Sequence, residues 1–460
     1  MKASFRTWLS VWLGAAVFML LLSGCGVSLF RSAEDLFVQP QLPEEYKNLN
    51  ATIEQVKSSL DAEQTAPLTG SNTSAIQLLD LNSDGEEEAA VAFFRSNSSD
   101  DPQPLKIYIF RMGSDGTYQI AYRIQGEGNN VGSIAYRDLD GDGILEVVVS
   151  WQLANRVYVL SVYALGPAEA TELVHSTYNE SYVLADLNGD GLRELVVIQR
   201  DDTEESYSRA SYYTYQDGML VMTSEAALSA NVNDVTSVRT GVLAGQTPAI
   251  YVTSDCEGGQ VTDILAYQDG GLVNVTINQD SGISNYTLRS YTGVSVTDIN
   301  NDGVLEVPVA LALPSVRASS ETTHWIIYWR QFDALGHATV ACITYHSTED
   351  GWYLILPSSW DGQIAVERDD RENHRGEQAV VFYHQEYDGS LTRFMTIYRL
   401  TGTNREARAN LGSRQLLLST SSVAYAVEFA SDGWDCGLNI DQVRDRFNLI
   451  TTEWSTVDNT

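Results

Sequence analysis

Four nine-residue stretches of one pattern, D-[LI]-[DN]-x-D-G-x-x-E, begin at Asp80, Asp138, Asp186 and Asp298 and constrain this chain more than any other feature. The intervals are 58, 48 and 112 residues, and 112 is two steps of 56. A degenerate copy is therefore expected near residue 240. There VTSVRTGVLAGQTPAIYVTS keeps alternating flanks around a turn without a carboxylate, as a repeat that has lost the acidic loop but kept its structure. A unit of this length is too thin to bury a core by itself, so neighbours must stack.

The flanks decide what the loops connect. Gly293-Val294-Ser295-Val296-Thr297 alternates at period two before the fourth loop, and β-branched runs (EVVVSW, ELVVIQ, EVPVAL) follow the second, third and fourth. Both signals predict strands. Position two is always apolar (Leu81, Leu139, Leu187, Ile299) and is expected to turn inward and pin the loop to the core. Position twelve is Val91, Val149, Val197 and Val309, where a helix-flanked EF-hand would need an acid. Between loops there is room for four strands, with Asp-Gly turns at Asp115, Asp217, Asp269, Asp350 and Asp388. The expectation is an all-β fold, a β-propeller of four-stranded blades with short N- and C-terminal helices. Five units span residue 75 to about 347, and residues 351–400 supply a sixth. RQLLLSTSSVAYAVEFA would complete a seventh or close the ring, so seven blades are predicted, with six as the alternative.

The pattern resembles the FG-GAP and VCBS repeats of integrin-type β-propellers over roughly residues 70–400, a resemblance that implies a calcium ion in each strand–loop–strand hairpin. The residues point the same way. Every candidate ligand is an oxygen: Asp80, Asn82, Asp84, the Glu86 carbonyl and Glu88; Asp138, Asp140, Asp142, the Ile144 carbonyl and Glu146; Asp186, Asn188, Asp190, the Leu192 carbonyl and Glu194; Asp298, Asn300, Asp302, the Val304 carbonyl and Glu306. Five oxygens without thiolate or imidazole suit a hard cation, and calcium better than magnesium. Up to four calcium ions are expected, one loop per blade and each far from the next, in a structural role. The second loop, with four carboxylates against three, is expected to bind tightest. Glycine at position six (Gly85, Gly143, Gly191, Gly303) allows the sharp turn.

The remaining expectations concern the ends and the partners. Lys2 and Arg6 precede an apolar run from Val11 to Leu22, shorter than a membrane-spanning helix needs. Leu22-Ser23-Gly24-Cys25 then resembles the lipobox of bacterial lipoproteins, which implies cleavage after residue 24 and lipid on Cys25. The predicted organisation is signal peptide 1–24, tether 25–43, amphipathic helix and lead-in 44–70, propeller 71–430, and C-terminal helix and closing segment 431–460. The helices carry stripes at Tyr46, Leu49, Ile53, Val56 and Leu60, and at Ile440, Val443, Phe447 and Ile450. Both stripes are read as docking against the propeller. Cys256, Cys342 and Cys436 are read as buried small residues, and Trp325, Ile327 and Trp329 as inter-blade packing.

A net charge of −33 argues against nucleic acid as a partner. The six histidines form no ligand spacing, and nucleophile-elbow, phosphate-loop and dinucleotide motifs are absent. The functional expectation is a membrane-anchored, extracytoplasmic protein that binds or scaffolds an envelope protein or glycan without catalysis. Its alternative is an envelope hydrolase or lyase acting on carbohydrate or wall polymer from a channel or loop-face site.

Overall fold

The computed structural model describes residues 44–87, 89–201, 208–316, 323–370 and 375–450. The signal peptide, the tether, Cys25 and Glu88 lie outside them, as do the last ten residues. The described chain forms two compact units: residues 44–58 with Met112–Gln119, and Ser59–Arg111 with 120–450. The first holds most of helix α1, Glu44–Leu60. Its stripe is buried at Leu49, Ile53 and Val56, as the spacing predicts.

The second unit is built of antiparallel sheets in chain order. Sheet one contains Ala62–Thr65 and Ile76–Leu79, both paired to Ala89–Ser96, then Leu105–Met112 and Tyr118–Gly126. Sheets two to four are four-stranded meanders. Sheet two runs Asn130–Arg137, Glu146–Ala154, Val157–Leu165 and Ala170–Tyr178. Sheet three runs Ser181–Ala185, Glu194–Gln199, Arg209–Gln216 and Met219–Ala227. Sheet four, the degenerate repeat, runs Val232–Val242, Pro248–Cys256, Gly259–Gln268 and Gly271–Asn274. Sheet five runs Val307–Ala312, Trp325–Phe332, Ala338–Ser347 and Trp352–Leu356, with Phe447–Leu449 on its edge. Sheet six holds Ile364–Asp369, Glu377–Gln385 and Leu391–Thr401, then Val423–Phe429 with Gln415–Ser419 outside it.

Period-two alternation with both sets apolar makes these sheets stack. Val147, Val149 and Trp151 of sheet two share a core with Val91, Phe93 and Ile107 of sheet one. Their alternates turn the other way: Val148, with Leu160 and Val162, packs on Leu195 and Val197 of sheet three. Val196 and Ile198 in turn meet Ile250 and Val252 of sheet four. Ala249 and Tyr251 then meet Val307 and Phe332 of sheet five. Ile326, Tyr345 and Trp352 close on Val380 and Phe382 of sheet six. Each valine, leucine, isoleucine or phenylalanine among them contributes about 1.5–3 kcal/mol on leaving water. Sheets buried on both faces and stacked in sequence order are the blades of a β-propeller.

Outside the acidic loops the structure departs from the sequence reading in four places. Residues 415–429, expected to complete a seventh blade or close the ring, extend sheet six, because Val423–Phe429 pairs in register with Met395–Thr401; the described residues thus hold six sheets, the alternative count. The strand predicted before the fourth loop is reduced to a single bridge, Thr297–Glu306. Its alternation survives only as burial, Val294 and Val296 facing different cores. The C-terminal helix is shorter than its stripe. Helix α2 is Arg405–Ala409 and helix α3 is Ile440–Arg446, whereas Phe447 belongs to the strand at the edge of sheet five. Val443 and Phe447 still enter the core between sheets five and six. Of the three cysteines only Cys436 is buried; Cys256 and Cys342 are half-buried. Trp329 is fully buried, its indole N–H donating to Thr344 Oγ1 at 2.7 Å, and Trp325 stacks on Tyr291, so this strand serves packing.

Candidate metal centres in the strand–loop–strand corners

All four loops fold by one hydrogen-bond scheme. The position-one aspartate accepts the position-six glycine N–H: Gly85 to Asp80 at 2.7 Å, Gly143 to Asp138 at 3.1 Å, Gly191 to Asp186 at 3.0 Å and Gly303 to Asp298 at 2.8 Å. Position three accepts the position-five N–H, and position five accepts the position-seven N–H. The glycines at position six take φ of 84–95°. Position four is left-handed as well, in Ser83 (φ 58°), Gly141 (82°), Gly189 (78°) and Asn301 (60°). That requirement is invisible in a position read only as x.

The position-nine glutamate closes the corner. Glu146 and Glu194 open the strand after their loops and Glu306 stands just before Val307–Ala312, and each accepts the position-two backbone N–H: Leu139 at 2.7 Å, Leu187 at 2.9 Å, Ile299 at 2.9 Å. Leu139, Leu187 and Ile299 are buried, the inward pin that the pattern predicts. Three carboxylate sets result: Asp138, Asp140, Glu146; Asp186, Asp190, Glu194; and Asp298, Asp302, Glu306. In each, one oxygen per residue lies within 4.8 Å of the others. The first loop shares the scheme at Asp80, Asn82 and Asp84, with Glu88 outside the described residues.

The second loop differs from the reading that all four of its carboxylates converge. Asp140 enters the set and Asp142 does not. In the other loops an asparagine at position three donates Nδ2 to the position-five carboxylate, at 3.0 Å from Asn82, 2.9 Å from Asn188 and 2.8 Å from Asn300. Asp140 has no N–H to give in this way, and Asp142 accepts the Ile144 N–H at 2.7 Å. The sequence also gives no sign of Gln331, one strand away. Its amide reaches Asp302 Oδ2 at 2.7 Å and Glu306 Oε1 at 2.8 Å.

Neither are the loops isolated from one another. Leu145 N–H of the second donates to Leu81 O of the first at 2.9 Å, and Leu305 N–H of the fourth to Val242 O of the degenerate hairpin at 3.4 Å. A Cβ on Gly141 would stand 3.4 Å from the Leu192 side chain of the third loop. The expectation of loops far from each other is thus corrected for the first three loops, which follow one another in contact, and for the fourth, which bonds to the degenerate hairpin before it.

Burial, followed by the neighbouring aspartates, pushes Glu146 up to about 7. Burial does the same to Glu306, also to about 7, and raises Glu194. A carboxyl with a raised folded pKa stabilises the fold below its unfolded value and loses that contribution as pH rises through the folded value. The metal-free protein should therefore lose stability between about pH 4.5 and 7, where the unfolded chain has released these protons and the folded chain has not. Melting temperatures measured in chelator at half-unit pH steps check this; a rise across that window would contradict it.

Fold and corners together define a β-propeller with convergent carboxylates in its strand–loop–strand turns. Within it, residues 80–149, spanning the first two loops, match the family model of the FG-GAP-like repeat. No curated protein sequence matches the chain. Among solved structures, the exotype rhamnogalacturonan lyase YesX is similar at 13% identity and TM-score 0.31, over 72% of this chain and 65% of that one. A rhamnogalacturonan lyase of Bacillus licheniformis is similar at 12% identity and TM-score 0.31, over 72% and 66%. The periplasmic gluconolactonase PpgL of Pseudomonas aeruginosa follows at 10% identity and TM-score 0.25, over 68% and 83%. The chain thus spans just under two thirds of the two lyases' length.

Proposed function

We propose that this protein is a lipid-anchored, extracytoplasmic β-propeller whose acidic loops hold calcium structurally, and that it acts as a non-catalytic binding or scaffolding module at the cell envelope. The observation that carries the reading is the repeated corner: three carboxylate sets at equivalent positions, each with its glutamate bonded to the loop's own backbone. Aspartate and asparagine oxygens with a glutamate behind them fit a hard cation. In the second loop Asp138, Asp140 and Glu146 would hold it; in the third and fourth, positions one, five and nine. An ion there would offset the mutual repulsion of each set and fix both the turn and the blade-to-blade bonds that start from it. The repeated, self-bonded corners support a clip more than a reaction centre.

The anchor rests on Leu22-Ser23-Gly24-Cys25. A diacylated cysteine would hold the protein to a membrane without spanning it. Radiolabelled palmitate should enter the wild-type chain and not a Cys25→Ser variant. Equal labelling of both, or of neither, would defeat the anchor and leave the calcium reading to be judged by melting.

A further inference from the structure

A cavity of about 550 Å³ lies where the first strands of sheets two, three and four come together. Its volume falls within the roughly 300–1,000 Å³ of small-molecule sites. Segment 68–71 forms one rim, laid along sheet two by Leu68 N–H to Val131 O at 3.0 Å and Thr69 N–H to Gly132 O at 2.9 Å. Resting on the reading of this protein as a binding module, we propose that the cavity is its ligand site and that the ligand is a neutral saccharide.

Three tyrosines shape it. Tyr158 and Tyr178 stack with centroids 5.1 Å apart, and Tyr182 meets Tyr178 edge-on at 6.0 Å. Two are locked by serines that also line the cavity: Ser150 Oγ lies 2.6 Å from the Tyr178 hydroxyl and Ser133 Oγ 3.0 Å from that of Tyr182. Fixed aromatic rings offer the flat apolar surface that the C–H face of a pyranose fits, at little ordering cost. Serine, threonine and tyrosine hydroxyls each donate one bond and accept two, so a hydroxyl already bonded to a neighbour keeps capacity for another. Sugar hydroxyls have the same dual character.

Charge narrows the class. Among the described residues no lysine or arginine lines the cavity, and the one acid that does, Glu180, is held by Arg200 Nε at 2.8 Å and Arg156 Nη2 at 3.3 Å. A phosphate, sulfate or uronate would find no cation on the lining itself, since Arg200 is spent on Glu180 and Arg156 on Glu180 and Asp234, in a chain of net charge −33. An extended peptide fits worse, because β-addition needs unpaired strand carbonyls. Those of Val131 and Gly132 already accept from Leu68 and Thr69.

The test uses the full chain in detergent with calcium, presented to an array of neutral oligosaccharides (glucose, galactose, mannose and N-acetylglucosamine series) beside oligouronates and a peptide library, with hits titrated by calorimetry. At least one neutral oligosaccharide should bind, and Thr240→Trp, which fills the cavity from an exposed position, should weaken it at least tenfold. Tyr387→Ala, fully exposed on a turn outside the cavity, should leave it unchanged. Binding of no neutral member, of oligouronates or peptides alone, or undiminished binding by Thr240→Trp would overturn the proposal. Release of new reducing ends would sink the non-catalytic reading and keep the site assignment, whereas the calcium clips are judged separately by melting.

Discussion

Adding a chelator to the purified full chain is expected to lower its melting temperature by about 10 °C, and added calcium, more than magnesium, to restore it. Each site held at about 100 times its Kd contributes about 2.7 kcal/mol to the folded state. Four such loops, three with described carboxylate sets, give on the order of 10 kcal/mol. Spread over the unfolding entropy of a chain this long, at about 2 cal/mol/K per residue, that is about 10 °C. The effect should not be confined to the loops. Leu145 N–H to Leu81 O and Leu305 N–H to Val242 O start from them and join consecutive blades, so a loosened corner loosens the stack. Scanning calorimetry with and without chelator reads the shift; a change below about 2 °C would mean the corners hold without an ion.

The second large effect lies away from any loop. Asp263 is fully buried in sheet four and accepts four hydrogen bonds: Ser229 N–H at 2.9 Å, Ser229 Oγ at 2.7 Å, Asn274 Nδ2 at 2.8 Å and Ser284 Oγ at 2.6 Å. Burial raises its pKa while these donors pull against the rise. Truncating it to alanine would leave a group of buried donors unsatisfied, each costing about 1–3 kcal/mol where nothing relaxes to meet it. Asp263→Ala should therefore destabilise by about 4 kcal/mol, and Asp263→Asn, which keeps one acceptor, by less. Urea unfolding should show the midpoint falling with little change in slope. A loss under about 1 kcal/mol would mean the pocket refills with water.

Both cases bear on what the chain discloses in advance. The loops were legible because their chemistry is local: nine consecutive residues carry the aspartates, the glycine and the glutamate, and period-two flanks say that strands enter and leave. The degenerate hairpin near 240 was legible from spacing and flanks alone. Contacts made at a distance were hidden. Gln331 reaches Asp302 and Glu306 because Val307 pairs with Arg330, which places Gln331 opposite Glu306. Asp263 could have been flagged as an acid inside VTDILAYQ, where strands avoid aspartate, but its partners lie 11 to 34 residues away. Residues 415–429 have strand character whether they found a blade or extend one, so pattern could not choose. Phe447 fits a helical stripe and a strand equally, and pairing with Leu354 decides it. The cavity was hidden for the same reason, since its tyrosines and serines come from separate strands.

Anomalous diffraction from crystals grown in calcium tests the central claim most directly. Anomalous peaks are expected among the Asp138, Asp140 and Glu146 oxygens, and at the equivalent points beside Glu194 and Glu306. Crystals showing those carboxylates ordered and no peak between them would contradict it.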